Sequence, residues 1–139
     1  YLKTKIEGEA NITSFVMDFT NPSPGIGWNN KERLSIIDRG PADVVFALAL
    51  IHHLCISNNL PFHYVADFFS RIVSKSLVIE FVPKSDSQVQ RLLRTREDIF
   101  THYDQEFFEK EFVKFFDIAK SIKVSNSKRF LYLMHKRNS

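Results

Sequence analysis

The sequence has few of the residues that mark disulfide-bonded, fibrous or membrane-spanning chains. Its 139 residues include one Cys, four Gly and five Pro, which excludes an internal disulfide and a collagen-like or low-complexity composition. The longest apolar run, residues 44–51, is far shorter than the ~20 residues that a membrane-spanning helix needs. No apolar segment follows the basic start, so we expect no membrane partner and no signal peptide. A lone cysteine favours a cytoplasmic protein.

The charge is also modest, with 19 basic against 16 acidic residues and a formal net charge of +3. Nucleic-acid binding is indicated by a basic stripe interleaved with aromatic residues, and none is evident, so we expect no nucleic-acid partner. What the chain has in abundance is Phe, with 14 residues. This apolar surface is enough for one core, and we interpret residues 1–139 as a single domain.

Hydrophobic patterns predict that strands and helices alternate along the chain. Residues 42–50 are apolar on both faces, as is typical of a strand inside a parallel sheet. The turn at 125–128 joins the last two strands into a hairpin. The pattern therefore favours an α/β fold with a mostly parallel sheet and a C-terminal antiparallel hairpin. The predicted strands are 12–19, 42–50, 76–82, 117–124 and 129–135, and the predicted helices are 28–38, 61–73, one capped by Asp86 and one starting near Asp104.

Ligands of open α/β sheets bind beyond the carboxyl ends of the parallel strands. Three such ends carry candidate site residues. Asp18 and Phe19 end the first predicted strand, Leu48 and His52 lie at the end of the second, and Glu80 lies in the third. If the strands are parallel neighbours, we expect these ends to surround one cleft.

Several of these segments resemble a known family. They are Met-Asp-Phe-Thr at 17–20, Ala-Leu-Ala-Leu-Ile-His-His-Leu at 47–54 and Ile-Glu-Phe-Val-Pro at 79–83. With the terminal hairpin they look like the C-terminal half of a class I S-adenosylmethionine-dependent methyltransferase. The segments at 21–28 and 81–90 are similar to bacterial methyltransferase-like proteins related to nodulation enzymes. The resemblance covers residues 12–137 and implies a Rossmann-like sheet.

The activity that the resemblance implies is methyl transfer from S-adenosylmethionine to an oxygen or nitrogen nucleophile of an unidentified acceptor. His52 would be the general base, since imidazole titrates near neutrality. No metal site is expected, because the histidines show no ligand spacing. The resemblance assigns the cofactor to Asp18 (adenine amino group), Phe19 (adenine ring) and Ala47, Leu48 and Ala49 (methionine end), and the substrate to Trp28, His53, Glu80 and Lys84.

The family's glycine-rich loop and its ribose-binding acid are absent from the sequence. The Gly-Ile-Gly at 25–27 lacks the third glycine of that motif. We therefore expect the N-terminal strands to lie upstream of Tyr1 and interpret the chain, which does not begin with Met, as a truncated domain. Loss of those strands leaves 42–50 as an apolar edge. We expect 12–19 to cover it, or two copies to form a homodimer through it.

A second reading is a non-catalytic α/β interaction module, because fold alone does not determine function. In that reading Asp18 is a turn former and Glu80 is an ion-paired structural acid. His52 and His53 then begin a helix, with one ring buried and bonded and the other solvated. We interpret the Phe stripe at 107–116 as core, and the alternative is a helix that docks on a membrane or a partner.

Overall fold

The computed structural model describes residue 12 and residues 16–137. These residues fall into two compact units that divide between Ile36 and Ile37. No helix in the described part of the chain is long and apolar enough to cross a membrane. The second unit carries strands β1 (Ala42–Ala47), β2 (Val73–Phe81), β3 (Phe116–Lys123) and β4 (Phe130–Lys136), and helices α1 (Phe62–Ile72), α2 (Ser87–Leu93) and α3 (Gln105–Phe112).

The first unit differs from its predicted strand. Residues 12 and 16–18 have no regular structure and 19–20 form a turn, so the strand predicted at 12–19 is wrong there; residues 13–15 lie outside the described residues. The physical reason is Asp18, whose Oδ1 accepts hydrogen bonds from Thr20 N at 2.8 Å and Thr20 Oγ1 at 2.6 Å. Such a local bond offers the backbone a turn in place of a sheet ladder.

The helix predicted at 28–38 is also wrong. A single 3₁₀ turn, Trp28–Asn30, forms there, and an isolated bridge joins Ile26 to Arg33. Asn29 and Asn30 both have φ of 56°, in the left-handed region that Asn tolerates and a continuing α-helix excludes. The chain therefore turns back on itself at this point.

The sheet of the second unit has the order β1-β2-β4-β3. β1 and β2 are parallel, whereas β4 is antiparallel to both β2 and β3. Three strands consequently share one direction, and the last strand of the chain is inserted between two of them in the opposite direction. The predicted α/β class and terminal hairpin are confirmed, but the sheet is partly parallel and partly antiparallel, because only the β1–β2 pair is parallel.

β1 is an edge strand and is shorter and more exposed than predicted. It ends at Ala47, and the side chains of Val44 and Phe46 are 48% and 68% exposed. Among the described strands it pairs with β2 alone. The prediction of a strand buried on both faces is wrong. The described residues of 12–19 form no strand, so they add no strand to this sheet.

The core lies between the sheet and helices α1 and α3. α1 begins after Pro61 and presents Val65, Phe69 and Ile72 to the interior, at the three- and four-residue spacing of one helix face. The predicted Phe stripe is core in part, since Phe108, Phe112 and Phe116 are buried, whereas Phe107 and Phe115 are half-buried. α3 ends at Phe112, however, and Phe116 begins β3.

The predicted cap at Asp86 is present, and the helix predicted to start near Asp104 is capped by that residue. The side chain of Asp86 accepts a hydrogen bond from Gln88 N at 2.9 Å, and Asp104 accepts one from Phe107 N at 2.7 Å. Each carboxylate satisfies an N–H group that has no partner within its helix. The start of α2 is thereby fixed just beyond the end of β2, where candidate site residues lie.

Candidate functional site at the strand ends

The carboxyl ends of β1 and β2 are joined by a direct hydrogen bond. Ala49 N donates to Glu80 Oε2 at 2.8 Å. Ala49 has φ of 49°, a left-handed conformation that costs a residue with a Cβ roughly 1–2 kcal/mol. A residue with such a strained backbone conformation is retained only where neighbouring contacts stabilise it. Residues of this kind are found more often at ligand-binding sites.

Glu80 is in turn held by Arg129, the residue just before β4. Arg129 Nη1 lies 3.4 Å from Glu80 Oε2, and its Nε and Nη2 donate to the two oxygens of Asp86 at 2.8 and 3.2 Å. The three side chains are 22%, 13% and 10% exposed. The Arg129 guanidinium therefore contacts both the end of β2 and the residue that caps α2, and through Glu80 it is linked to the loop after β1. We call Ala49, Glu80, Asp86 and Arg129 the strand-end network.

The ionisation of this network is fixed by its own contacts. The hydrogen bond from Arg129 lowers the pKa of the Asp86 carboxyl, and the backbone N–H of Gln88 lowers it further. The same contact with Asp86 raises the pKa of Arg129. Mutual stabilisation of opposite charges keeps both groups ionised at neutral pH.

His52 is buried beside this network. Only 1% of its surface is exposed, and its Nδ1 has no hydrogen-bond partner among the described residues. Burial lowers the pKa of His52 to about 4, with further lowering by the positive charges of His53 and Arg129. The ring is consequently neutral at pH 7, in the state that can accept a proton, although a conjugate acid of such low pKa limits its strength as a base.

The backbone around His52 is also unusual. A π-helical turn, His53–Ser57, follows it, and single π turns are frequent at functional sites. The His53 ring lies 4.2 Å from that of His52 and is exposed. The helix-start reading is right about one buried and one solvated ring, but the Nδ1 atom of the buried ring is not bonded within the described residues.

The remaining predicted site residues are already engaged or belong to the first unit. Lys84 forms an ion pair with Asp98, with Nζ 2.8 and 2.9 Å from its two oxygens. Asp18, Phe19 and Trp28 belong to the first unit, where Asp18 closes its turn and Trp28 is 87% exposed. Of the residues predicted from the sequence, the structure therefore brings together Ala49 and Glu80 directly, with His52 within electrostatic reach.

Leu48 and Ala47 complete the loop after β1. Leu48 is 55% exposed, whereas Ala47 is buried. An open groove of about 800 Å³ lies next to Asp86, between the start of α2 and the hairpin turn at 123–128. Its lining is rich in Ser and Lys side chains, so this end of the sheet is polar and accessible.

Arg129 was not predicted as a site residue. Only its position in the sequence could have indicated this role. Arg129 directly precedes β4, whose first residue, Phe130, pairs with Phe81 at the end of β2. Antiparallel pairing between β2 and β4 therefore places Arg129 near Glu80. That pairing requires knowledge of the strand order, which the hydrophobic pattern alone does not provide.

The two glycines at 25 and 27 serve a local turn. A Cβ at Gly25 would lie 2.6 Å from Asn30 O, and Gly27 has φ of 87° with Glu32 packed against it. Both positions therefore need glycine for close backbone approach and a left-handed conformation. This agrees with the interpretation that 25–27 is no substitute for a cofactor-binding glycine loop.

The strand order and the strand-end network define a mixed α/β protein with a candidate ligand site at the carboxyl ends of its parallel strands. No protein-family model matches the chain, and no solved structure matches it significantly. The chain is similar to the nodulation protein NoeA of Rhizobium meliloti (strain 1021), with 38% identity over 127 residues. The match covers 91% of this chain but 26% of NoeA. The chain is therefore homologous to a nodulation protein and spans about a quarter of that relative's length.

Proposed function

We propose that this sheet is part of an S-adenosylmethionine-dependent methyltransferase domain that methylates an oxygen or nitrogen nucleophile. The observation that carries the proposal is the strand order β1-β2-β4-β3, in which the last strand runs against three parallel ones. A terminal hairpin beside the parallel strands is what the resemblance of 12–137 to class I methyltransferases leads one to expect. The homology to a nodulation protein agrees with the nodulation-related part of that resemblance.

The residues present fit one end of the cofactor. Ala49 is held in a left-handed conformation next to exposed Leu48, which leaves an accessible loop where the methionine end would lie. When bound, S-adenosylmethionine would supply an activated methyl group on its sulfonium sulfur. The glycine-rich turn and the ribose-binding acid are not in these 139 residues, so binding in this proposal requires a longer protein.

In this proposal, residues of the chain orient the loop after β1 and accept the proton that the nucleophile loses. Glu80 orients the loop after β1 through Ala49 N, and Arg129 orients Glu80. His52, neutral at pH 7, is the candidate acceptor for the proton that a hydroxyl or amine nucleophile loses. Because its surface is buried, this role requires substrate or a water molecule to reach the ring.

The second candidate function is an interaction module, and the exposed edge of β1 favours it. Phe46 and Leu48 are 68% and 55% exposed, and among the described strands β1 pairs only with β2. An apolar edge with unpaired backbone groups pairs readily with another strand. We propose that the upstream part of the same protein pairs with this edge, because the relative is much longer than this chain. When that part is absent, we propose that two copies of the chain pair through the edge instead.

Titration of S-adenosylmethionine into a version of the protein that includes the sequence encoded upstream of Tyr1 tests the methyltransferase proposal. Saturable binding supports it. If that version folds, shown by a cooperative unfolding transition, and does not bind, the proposal fails and the interaction module is favoured.

A further inference from the structure

A second concave site lies away from the strand-end network. It is a cleft of about 320 Å³ between the start of α1 and the segment that leads into α3. This volume is in the range of small-molecule pockets. Its walls are mostly apolar and are formed chiefly by Cys55, Leu60, Phe62, Phe100, Tyr103 and Phe107.

The floor of the cleft is formed by buried, closely packed rings. The rings of Phe62 and Tyr103 stack with centroids 5.2 Å apart, and both residues are buried. Tyr103 Oη donates to Val82 O at 2.8 Å, which ties this floor to the segment just after β2. A preformed floor lowers the ordering cost that a ligand would otherwise meet on binding.

The rim of the cleft is held by Arg96. Its guanidinium donates to Asn59 Oδ1 at 2.7 Å and to the carbonyl oxygen of Ile56, and it lies over the Phe100 ring at 5.0 Å from the centroid. These contacts fix the two loops that face each other across the opening. They also engage the Arg96 cation with the protein itself.

The chemistry of the lining selects for an uncharged ligand. No Asp, Glu, Lys or Arg is among the lining residues. Burial raises the pKa of the Cys55 thiol well above its usual range, so the sulfur is protonated and unreactive. Aromatic rings form much of the wall, where Phe107 stacks with His102 at 4.8 Å and lies under Lys110 Nζ at 5.6 Å, and the edges of such rings favour contact with a flat aromatic partner.

We propose that this cleft binds a small, uncharged, planar aromatic molecule. The ligand packs against the aromatic walls, with the Asn59 amide nitrogen and the His102 ring at the rim for one or two hydrogen bonds. This site does not depend on the methyltransferase proposal, because no residue of the strand-end network lines it.

Indole titrated into the ¹⁵N-labelled 139-residue chain, followed by two-dimensional NMR, tests the inference. We expect saturable shifts confined to residues 55–62 and 99–107, with a Kd on the order of 1 mM. Cyclohexanol, which is of similar size but not planar, should bind at least fivefold more weakly, and benzoate, which is charged, should also bind weakly. Absence of saturable shifts with indole, or equal binding of cyclohexanol, overturns the proposal.

Two variants locate the binding. Phe107→Ala removes one aromatic wall and should weaken indole binding at least fivefold, whereas Phe68→Ala, on α1 outside the cleft, should leave it unchanged. Thr101→Arg adds bulk and charge at an exposed position of the rim, and should abolish binding without affecting the fold. Unchanged binding in Thr101→Arg contradicts the assignment even if Phe107→Ala fails to fold.

Discussion

The carboxylate of Glu80 on β2 accepts a hydrogen bond from the backbone N–H of Ala49 at 2.8 Å. This contact connects the ends of two adjacent parallel strands across 31 residues of sequence. It also fixes Ala49 with φ of 49°, an unfavourable conformation for a residue with a Cβ. The ends of β1 and β2 are thus joined by a specific polar contact at the edge where α/β sheets bind ligands.

Replacement of Ala49 by Gly tests the strain at this position. Glycine adopts positive φ freely, so we expect Ala49→Gly to raise the free energy of unfolding by about 1 kcal/mol. The matched control is Ala47→Gly, since Ala47 is buried in β1, and that change should lower stability. Urea unfolding of both variants provides the measurement, and destabilisation by Ala49→Gly would show that the loop is not strained.

The strand-end network predicts that replacement of Arg129 lowers the free energy of unfolding substantially. Arg129→Met leaves Glu80 and Asp86 without their cation at a site where both are mostly buried. We expect a loss of about 2–3 kcal/mol in urea unfolding, because an uncompensated buried charge is costly. Arg137→Met is the control: its partner Asp117 is 63% exposed, and surface pairs contribute less than about 1 kcal/mol. Equal losses of unfolding free energy in the two variants would show that the network stabilises the fold no more than a surface ion pair does.

The environment of His52 predicts a pH dependence of stability. Its pKa of about 4 in the folded chain is below the ordinary value of 6.5, so the unfolded state binds more protons between these values. Stability from this group is therefore fully present above pH ~6.5 and falls as the pH is lowered towards 4, by up to ~1.4 kcal/mol per pH unit.

Urea unfolding at several pH values in this window measures that slope. His52→Gln should remove it, whereas His53→Gln, which changes the exposed neighbouring ring, should keep most of it. A slope that persists unchanged in His52→Gln would mean that His52 is not the titrating group.

The exposed edge of β1 predicts self-association of the 139-residue chain. Phe46→Lys places a charge on this strand, where the Phe side chain is 68% exposed, and charges on edge strands oppose pairing. Light scattering after gel filtration should show a dimer for the unaltered chain and a monomer for Phe46→Lys. Ile122→Lys on the opposite edge strand β3, where Ile122 is 47% exposed, should remain dimeric. A monomeric unaltered chain would contradict the dimer prediction.

The sequence predicts the second unit better than the first, for local reasons. The period of Val65, Phe69 and Ile72, the cap at Asp86 and the helix start near Asp104 depend on neighbouring residues, and each is present in the structure. The strand predicted at 12–19 is absent from the described residues of that segment, 12 and 16–19, since Thr20 bonds to Asp18 and β-propensity depends on a partner strand. The apolar composition of 42–50 indicates that this strand needs neighbours on both of its faces. It does not indicate whether the 139 residues supply those neighbours.

The candidate site was predictable in part. Glu80 and Ala49 follow from the rule that parallel strands end together. Arg129 does not, because its role arises from the pairing of β2 with β4 across 49 residues. The low pKa of His52 depends on burial by segments distant in sequence, which composition does not specify.

The most direct test of the methyltransferase account is calorimetric titration of S-adenosylmethionine into both the 139-residue chain and the version extended upstream. The account predicts saturable binding by the extended protein and little or none by the shorter chain. In the extended protein Leu48→Glu, at the proposed methionine end, should weaken binding at least tenfold, and Ile122→Glu on β3 should not. A folded extended protein that shows no binding, or one whose affinity is the same in Leu48→Glu, would contradict the account.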